Sequence, residues 1–119
     1  MAITNKKLEA IVDIIFEKKG EDVLFMNLKK LSPITDCFLI CTAQSTLHAQ
    51  AISDELALRF KKQNIIPHHI EGYQNGQWIV LDYFDFVIHV FVNEVRQFYG
   101  LERLWGDAPQ RRFVDQPKN

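Results

Sequence analysis

Residues 36–42, DCFLICT, carry almost no polar alternation. That run constrains the fold more than any other part of the chain. A strand with one solvated face alternates apolar and polar side chains, whereas a strand buried on both faces reads as a continuous apolar run. Such a strand needs neighbours along both edges and covering layers above and below. The flanking sequence supplies helices of the right kind. Residues 3–19 place Leu8, Ile11, Val12 and Ile15 at helical spacing, with Thr4 as N-cap and Gly20 as stop signal. Ser45 caps a second helix over residues 46–63, whose stripe is Ala49, Ile52, Leu56 and Phe60.

Four further strands are expected, at residues 22–28, 69–73, 77–81 and 86–92. Pro33 keeps the turn after the first from being helical. Asn75-Gly76 is a hairpin signal between the second and third. A last helix is expected over residues 93–104, weakened by Gly100. The order αββαβββα describes an α/β domain with a single mixed sheet of about five strands and packed helices. The strand–helix–strand segment around residues 36–73 implies a right-handed crossover and a parallel pair. Residues 1–108 form one domain, and residues 109–119, polar and with two prolines, read as a C-terminal tail.

With 119 residues, 47% hydrophobic and 24% charged, the chain suits one globular core. Its net charge of −1 argues against a protein that coats phosphate. It leaves room for binding beside RNA on another protein. No stretch approaches the roughly 20 uncharged apolar residues of a membrane span. The N-terminus reaches an acid too early for a signal peptide, so a cytoplasmic protein is the default. Cys37 and Cys41, four apart on one strand, stand too far apart to bridge and read as buried thiols.

Catalytic chemistry finds little support. The five glycines form neither phosphate-loop spacing. Asp82 and Asp85 could be a carboxylate pair for Mg²⁺, the basis of an alternative reading as a nucleotidyltransferase-like, Mg-dependent nucleotide-binding enzyme. Turn-forming acids explain them more cheaply. His68 and His69 point to opposite faces if extended and would not chelate as a pair. His89, alone in an apolar strand, reads as a core or interface residue.

The segment from residue 78 to 107 holds both tryptophans and is lopsided in charge. Between 82 and 107 lie Asp82, Asp85, Glu94, Glu102 and Asp107 against Arg96 and Arg103. Alternation puts Trp78, Val80 and Asp82 on one face and Ile79 and Leu81 on the other. On the last helix, Phe98, Leu101, Glu102 and Trp105 fall on one stripe. Both tryptophans could anchor the core, or they could form a binding surface fringed by carboxylates for a basic partner. A dimer whose aromatic surface is its own interface is a third reading.

From Glu71 to Pro109 the sequence runs EG-x5-W-x2-LDY-x-D-x-V-x-H-x-F-x4-R-x2-Y-x-LE-x2-W-x-DAP, and earlier it has TDCFLICTAQS. These motifs resemble the ribosomal silencing factors, or Iojap-like family, over about residues 3–109. Phe84 and Ala43 stand where that family usually has glycine. The resemblance implies a nucleotidyltransferase-like fold without the catalytic apparatus and without a cofactor. It implies a translational repressor that binds the large ribosomal subunit through large-subunit ribosomal protein fourteen, in contact with adjacent ribosomal RNA, and blocks joining of the small subunit. The matching positions for the partner surface are Trp78, Leu81, Asp82, Tyr83, Asp85, His89, Tyr99, Glu102 and Trp105. Asp82→Lys with Glu102→Lys is expected to weaken binding without unfolding the domain.

Overall fold

The computed structural model describes residues 4–115. Helix α1 (Asn5–Glu17) leads to β1 (Glu21–Asn27) and β2 (Cys37–Ala43); α2 (Thr46–Lys61) follows. Then come β3 (His69–Glu71), β4 (Trp78–Asp82), β5 (Phe86–Val92), the short helices α3 (Asn93–Tyr99) and α4 (Leu101–Leu104), and β6 (Gln110–Phe113). The result is an α/β domain with one mixed sheet of six strands, ordered β3-β4-β5-β2-β1-β6. Both expected N-caps form. The Thr4 hydroxyl accepts from the Lys7 N–H at 3.1 Å and the Ser45 hydroxyl from the His48 N–H at 3.0 Å. Residue 3, the expected start of the first helix, and residues 116–119 of the expected tail lie outside the described residues.

The strand that reads as buried on both faces is central, as its composition demands. Its parallel partner is β5, paired from Cys37↔Phe86 to Ala43↔Val92, and every other pairing is antiparallel. The crossover through α2 therefore does not deliver a neighbour directly. It leads to β3 at the sheet edge, and the β3-β4-β5 meander returns to β2. Strand length explains the order. All three residues of β3 are exposed, so β3 cannot seal a central strand; β5 matches the seven residues of β2 and is buried along nearly all of them.

Three local expectations change. The Asn75-Gly76 signal does not make a two-residue turn: Glu71 pairs with Val80, so the connection is longer, and it closes with the Gly76 N–H donating to the Gly72 carbonyl at 2.9 Å. The last helix breaks at Gly100, whose φ of 58° and ψ of 51° put it in the left-handed region. The segment expected as a tail contributes β6, which pairs antiparallel with β1 from Val23↔Phe113 to Met26↔Gln110. Its polar, arginine-rich composition, which reads as a tail, suits a short, charged edge strand.

The two sheet faces are covered unequally. Leu8, Ile11, Val12 and Ile15 of α1 and Ala49, Ile52, Leu56 and Phe60 of α2 pack on Leu39, Cys41, Ile79, Leu81, Ile88 and Val90. Each fully buried Leu or Ile there contributes roughly 1.5–3 kcal/mol by leaving water. The opposite face carries Leu24, Met26, Ile40 and Phe91, capped by Leu101 and Ala108 from the C-terminal segment. Phe38, Trp78, Val95 and Trp105 border that second cluster and stay partly exposed.

Candidate functional site

Register brings one set of side chains together on the thinly covered face. Trp78 stands opposite Phe91, Val80 opposite His89 and Asp82 opposite Val87. On the other side of β5, Phe38 pairs with Val87 and Ile40 with His89. The Trp78 ring stacks on Phe91 at 4.9 Å and meets Tyr99 at 4.7 Å. His89 meets Phe38 edge-on at 4.4 Å, and Phe38 meets Trp105 edge-on at 6.4 Å. A strip of rings thus runs Tyr99, Trp78, His89, Phe38, Trp105. The tryptophans resolve the choice between core and surface by doing both. Each rests one side on the core and leaves the other partly exposed.

His89 sets the pose of Trp78. The indole N–H donates to His89 Nδ1 at 3.0 Å, which requires an unprotonated Nδ1 and so places the proton on Nε2. Burial pushes the His89 pKa down to about 3, so the ring is neutral near pH 7 and acts as an acceptor. Its Nε2 is buried with no hydrogen-bond partner among the described residues.

The remaining candidate residues divide. Leu81 is fully buried on the helix-covered face, where partner contact is impossible without unfolding. Tyr83 shares that face, between Phe60 at 4.8 Å and Phe86 at 5.0 Å, and is 8% exposed. Burial pushes its phenol up to about 12. Both residues therefore support the fold from the opposite side of the sheet. Asp82 and Asp85 stand half-exposed at the β4–β5 turn. Asp82 Oδ1 accepts from the Phe84 N–H at 2.9 Å, and the Asp85 carbonyl accepts from the Asp36 N–H at 3.1 Å.

Glu102 differs from the expectation most. Its Oε2 accepts from Nε of Arg96 at 3.2 Å, and Arg96 is 4% exposed. Arg96 also donates to the Asp22 carbonyl at 2.6 Å and to Thr42 Oγ1 at 2.8 Å. Glu102 is thus the counter-ion of a buried guanidinium that ties α3 to β1 and β2, and its charge is not free for a partner. The expected single stripe on the last helix also fails. Gly100 resets the helical phase, so Leu101 is buried while Phe98 is 78% exposed. Arg96 was missed because its partners lie 74 and 54 residues away, and no local pattern announces them.

Other chemistry-bearing groups have structural surroundings. Burial pushes the Cys37 and Cys41 thiols up to about 12, so neither is a ready nucleophile. His48 Nδ1 accepts from the Gln44 N–H at 2.9 Å, which leaves Nε2 to donate to the Lys18 carbonyl at 2.6 Å. The His68 and His69 rings touch edge-on at 4.4 Å rather than diverging, because His68 precedes β3 and escapes strand alternation. Among the described residues, no group of three or more His, Cys, Asp or Glu side chains is disposed to hold a metal ion. A cleft of about 570 Å³ opens at the carboxyl ends of β2 and β5, lined in part by Glu21, Asp22 and Glu94. Open α/β sheets receive ligands at such ends. Asp82 and Asp85 lie at the other end of the parallel pair, beside the start of β5, and do not line that cleft.

Fold and face together define a small mixed-sheet α/β domain with a strip of partly exposed aromatic side chains on one side of its sheet. A family model described as "Ribosomal silencing factor during starvation" matches residues 2–119. The chain is 42% identical over 102 residues to "Ribosomal silencing factor RsfS" of Halalkalibacterium halodurans, covering 86% of this chain and 87% of that one. It is 38% identical over 93 residues to the protein of the same name from Bacillus subtilis, covering 78% and 79%. A crystal structure from Bacillus halodurans superposes with a TM-score of 0.80 at 35% identity, over 92% of this chain and 100% of that one. The chain belongs to the ribosomal silencing factor family. No helix among the described residues is long and apolar enough to cross a membrane.

Proposed function

We propose that this protein is a cytoplasmic translational repressor that binds the large ribosomal subunit through ribosomal protein fourteen and sterically blocks subunit joining. The observation that carries the reading is the strip of partly exposed rings on the thinly covered sheet face, bordered by Asp82 and Asp85. Aromatics in a half-covered face supply contact area that a partner can desolvate. The neighbouring carboxylates would steer a basic ribosomal protein into register. Trp78, Tyr99 and Trp105 make the contact; His89 holds Trp78 in place from beneath. A mouse relative is named "Mitochondrial assembly of ribosomal large subunit protein 1" and is 30% identical over 112 residues, 92% of this chain and 48% of that protein. That name points toward the large subunit. Repression of this kind needs occupancy of a surface, with no bond made or broken.

Pelleting with purified large subunits is the test. Wild-type protein should co-sediment at modest salt and reduce subunit joining in a purified system. Asp82→Lys should weaken pelleting about tenfold, equivalent to ~1.4 kcal/mol, while loss of the Asp82 acceptor for the Phe84 N–H lowers stability by only about 1 kcal/mol. Wild-type protein that stays at the top of the gradient would sink the reading.

A further inference from the structure

Phe84, at the tip of the β4–β5 turn, has a backbone geometry that its side chain opposes. Its φ is 72°, in the left-handed region, where a Cβ crowds the backbone and which phenylalanine rarely adopts. Glycine or asparagine would make the same turn with less strain. The ring does not offset this by burial. It is 61% exposed, and its ring contact is with His68 at 4.1 Å, itself an exposed side chain. A turn that only reversed the chain would gain nothing from an exposed phenyl group at this position.

The surroundings indicate what the ring is for. Residues 63–95, which span β3, β4 and β5, contain no Lys or Arg, but they contain Glu71, Asp82, Asp85 and Glu94. Lys7, from α1, stands over the Phe86 ring on the helix-covered side of the sheet. At the opposite sheet edge, β6 carries Arg111 and Arg112. Phe84 thus sits within a segment of the sheet that carries acids and neither Lys nor Arg, with Lys7 turned to the helix-covered side. A phenyl face beside the half-exposed Asp82 carboxylate suits a guanidinium or ammonium group, which gains from the ring quadrupole and from ion pairing together. It repels phosphate, so the occupant is protein rather than RNA.

We propose that Phe84 is an aromatic anchor for a basic protein surface of the large ribosomal subunit, extending the ring strip past Asp82 to the turn. This rests on the ribosome-binding reading and adds a residue outside the surface inferred from family motifs. Two measurements on Phe84→Gly test it. Its thermal midpoint should equal or exceed that of wild type, because strain is relieved and no buried contact is lost. Its pelleting with large subunits should weaken about tenfold or more, the scale of an interface hot spot. Equal pelleting of Phe84→Gly and wild type would overturn the Phe84 assignment alone, whereas wild type that does not pellet would remove the ribosome-binding reading and this one with it. A lowered midpoint would make the ring structural and also overturn the assignment. Substituting p-benzoylphenylalanine for Phe84 and irradiating with large subunits identifies the occupant. An adduct to a basic ribosomal protein supports the proposal; an adduct to ribosomal RNA or to a second copy of this chain refutes it.

Discussion

Alternate residues of β4 and β5 meet different surroundings. Ile79, Leu81, Ile88 and Val90 lie under α1 and α2, helices of 13 and 16 residues, and are 0% exposed. Trp78, Val80, His89 and Phe91 lie on the face covered by α3 and α4, helices of 7 and 4 residues. The first face is aliphatic and sealed. The second is aromatic, and at Trp78, Val80 and Trp105 it remains partly open. Aliphatic side chains gain from complete burial, whereas a large ring can rest one side on a core and offer the other to a partner. Strand alternation thus gives one sheet a sealed face and a partly open one.

The largest effect that would break this contrast is on stability. Leu81→Ala should cost about 3 kcal/mol in denaturant unfolding, within the range for buried leucines that leave a cavity. Val80→Ala, one residue away on the half-covered face, should cost less than 1 kcal/mol. Equal losses would show that the two faces are not energetically distinct.

A smaller effect concerns the buried guanidinium that joins the two regions. Glu102→Lys should destabilise the domain by about 2 kcal/mol. That is below the ~3–5 kcal/mol of a fully buried pair, because the Glu102 side chain is 29% exposed. The combined Asp82→Lys, Glu102→Lys protein is then compromised in stability, and Asp82→Lys by itself is the cleaner probe of the surface. An unchanged midpoint for Glu102→Lys would show that the Arg96–Glu102 pair contributes nothing to stability.

The smallest effect sharpens the account of the aromatic face. His89 has a folded pKa of about 3 against an ordinary value near 6.5. Between these values the unfolded chain binds a proton that the folded protein refuses. Its stabilising contribution is therefore complete above about 6.5 and is lost as pH falls toward 3, by up to ~1.4 kcal/mol per pH unit. His89→Gln keeps an acceptor for the Trp78 N–H and removes the titration. Its stability should depend less steeply on pH than that of wild type over this interval, in paired urea unfolding series. Identical slopes would place the titrating groups elsewhere.

Much of this arrangement was legible in local sequence. The caps at Thr4 and Ser45, the stripes of α1 and α2 and the split of Ile79 and Leu81 from Trp78 and Val80 follow from local capping chemistry and periodicities of 3.6 and 2. The aromatic and acidic content of the candidate face was equally visible. The exposure of its tryptophans was not, because exposure depends on how far α3 and α4 reach across the sheet. In the sequence Phe84 is only a departure from the family's usual glycine; its left-handed φ and open ring belong to the folded turn.

By itself the sequence determined α1, α2 and β1 to β5 to within a few residues, which side chains of β4 and β5 share a face, and the family to which the chain belongs. The tertiary structure decided which strands are neighbours. It seated β5 rather than β3 beside β2, recruited Gln110–Phe113 as an edge strand, and matched Arg96 with Glu102, Thr42 and the Asp22 carbonyl. The physical reason is range. Backbone geometry repeats every few residues and leaves a local record in the chain. Pairing between distant segments depends on which surfaces remain to be covered once the rest of the chain has folded.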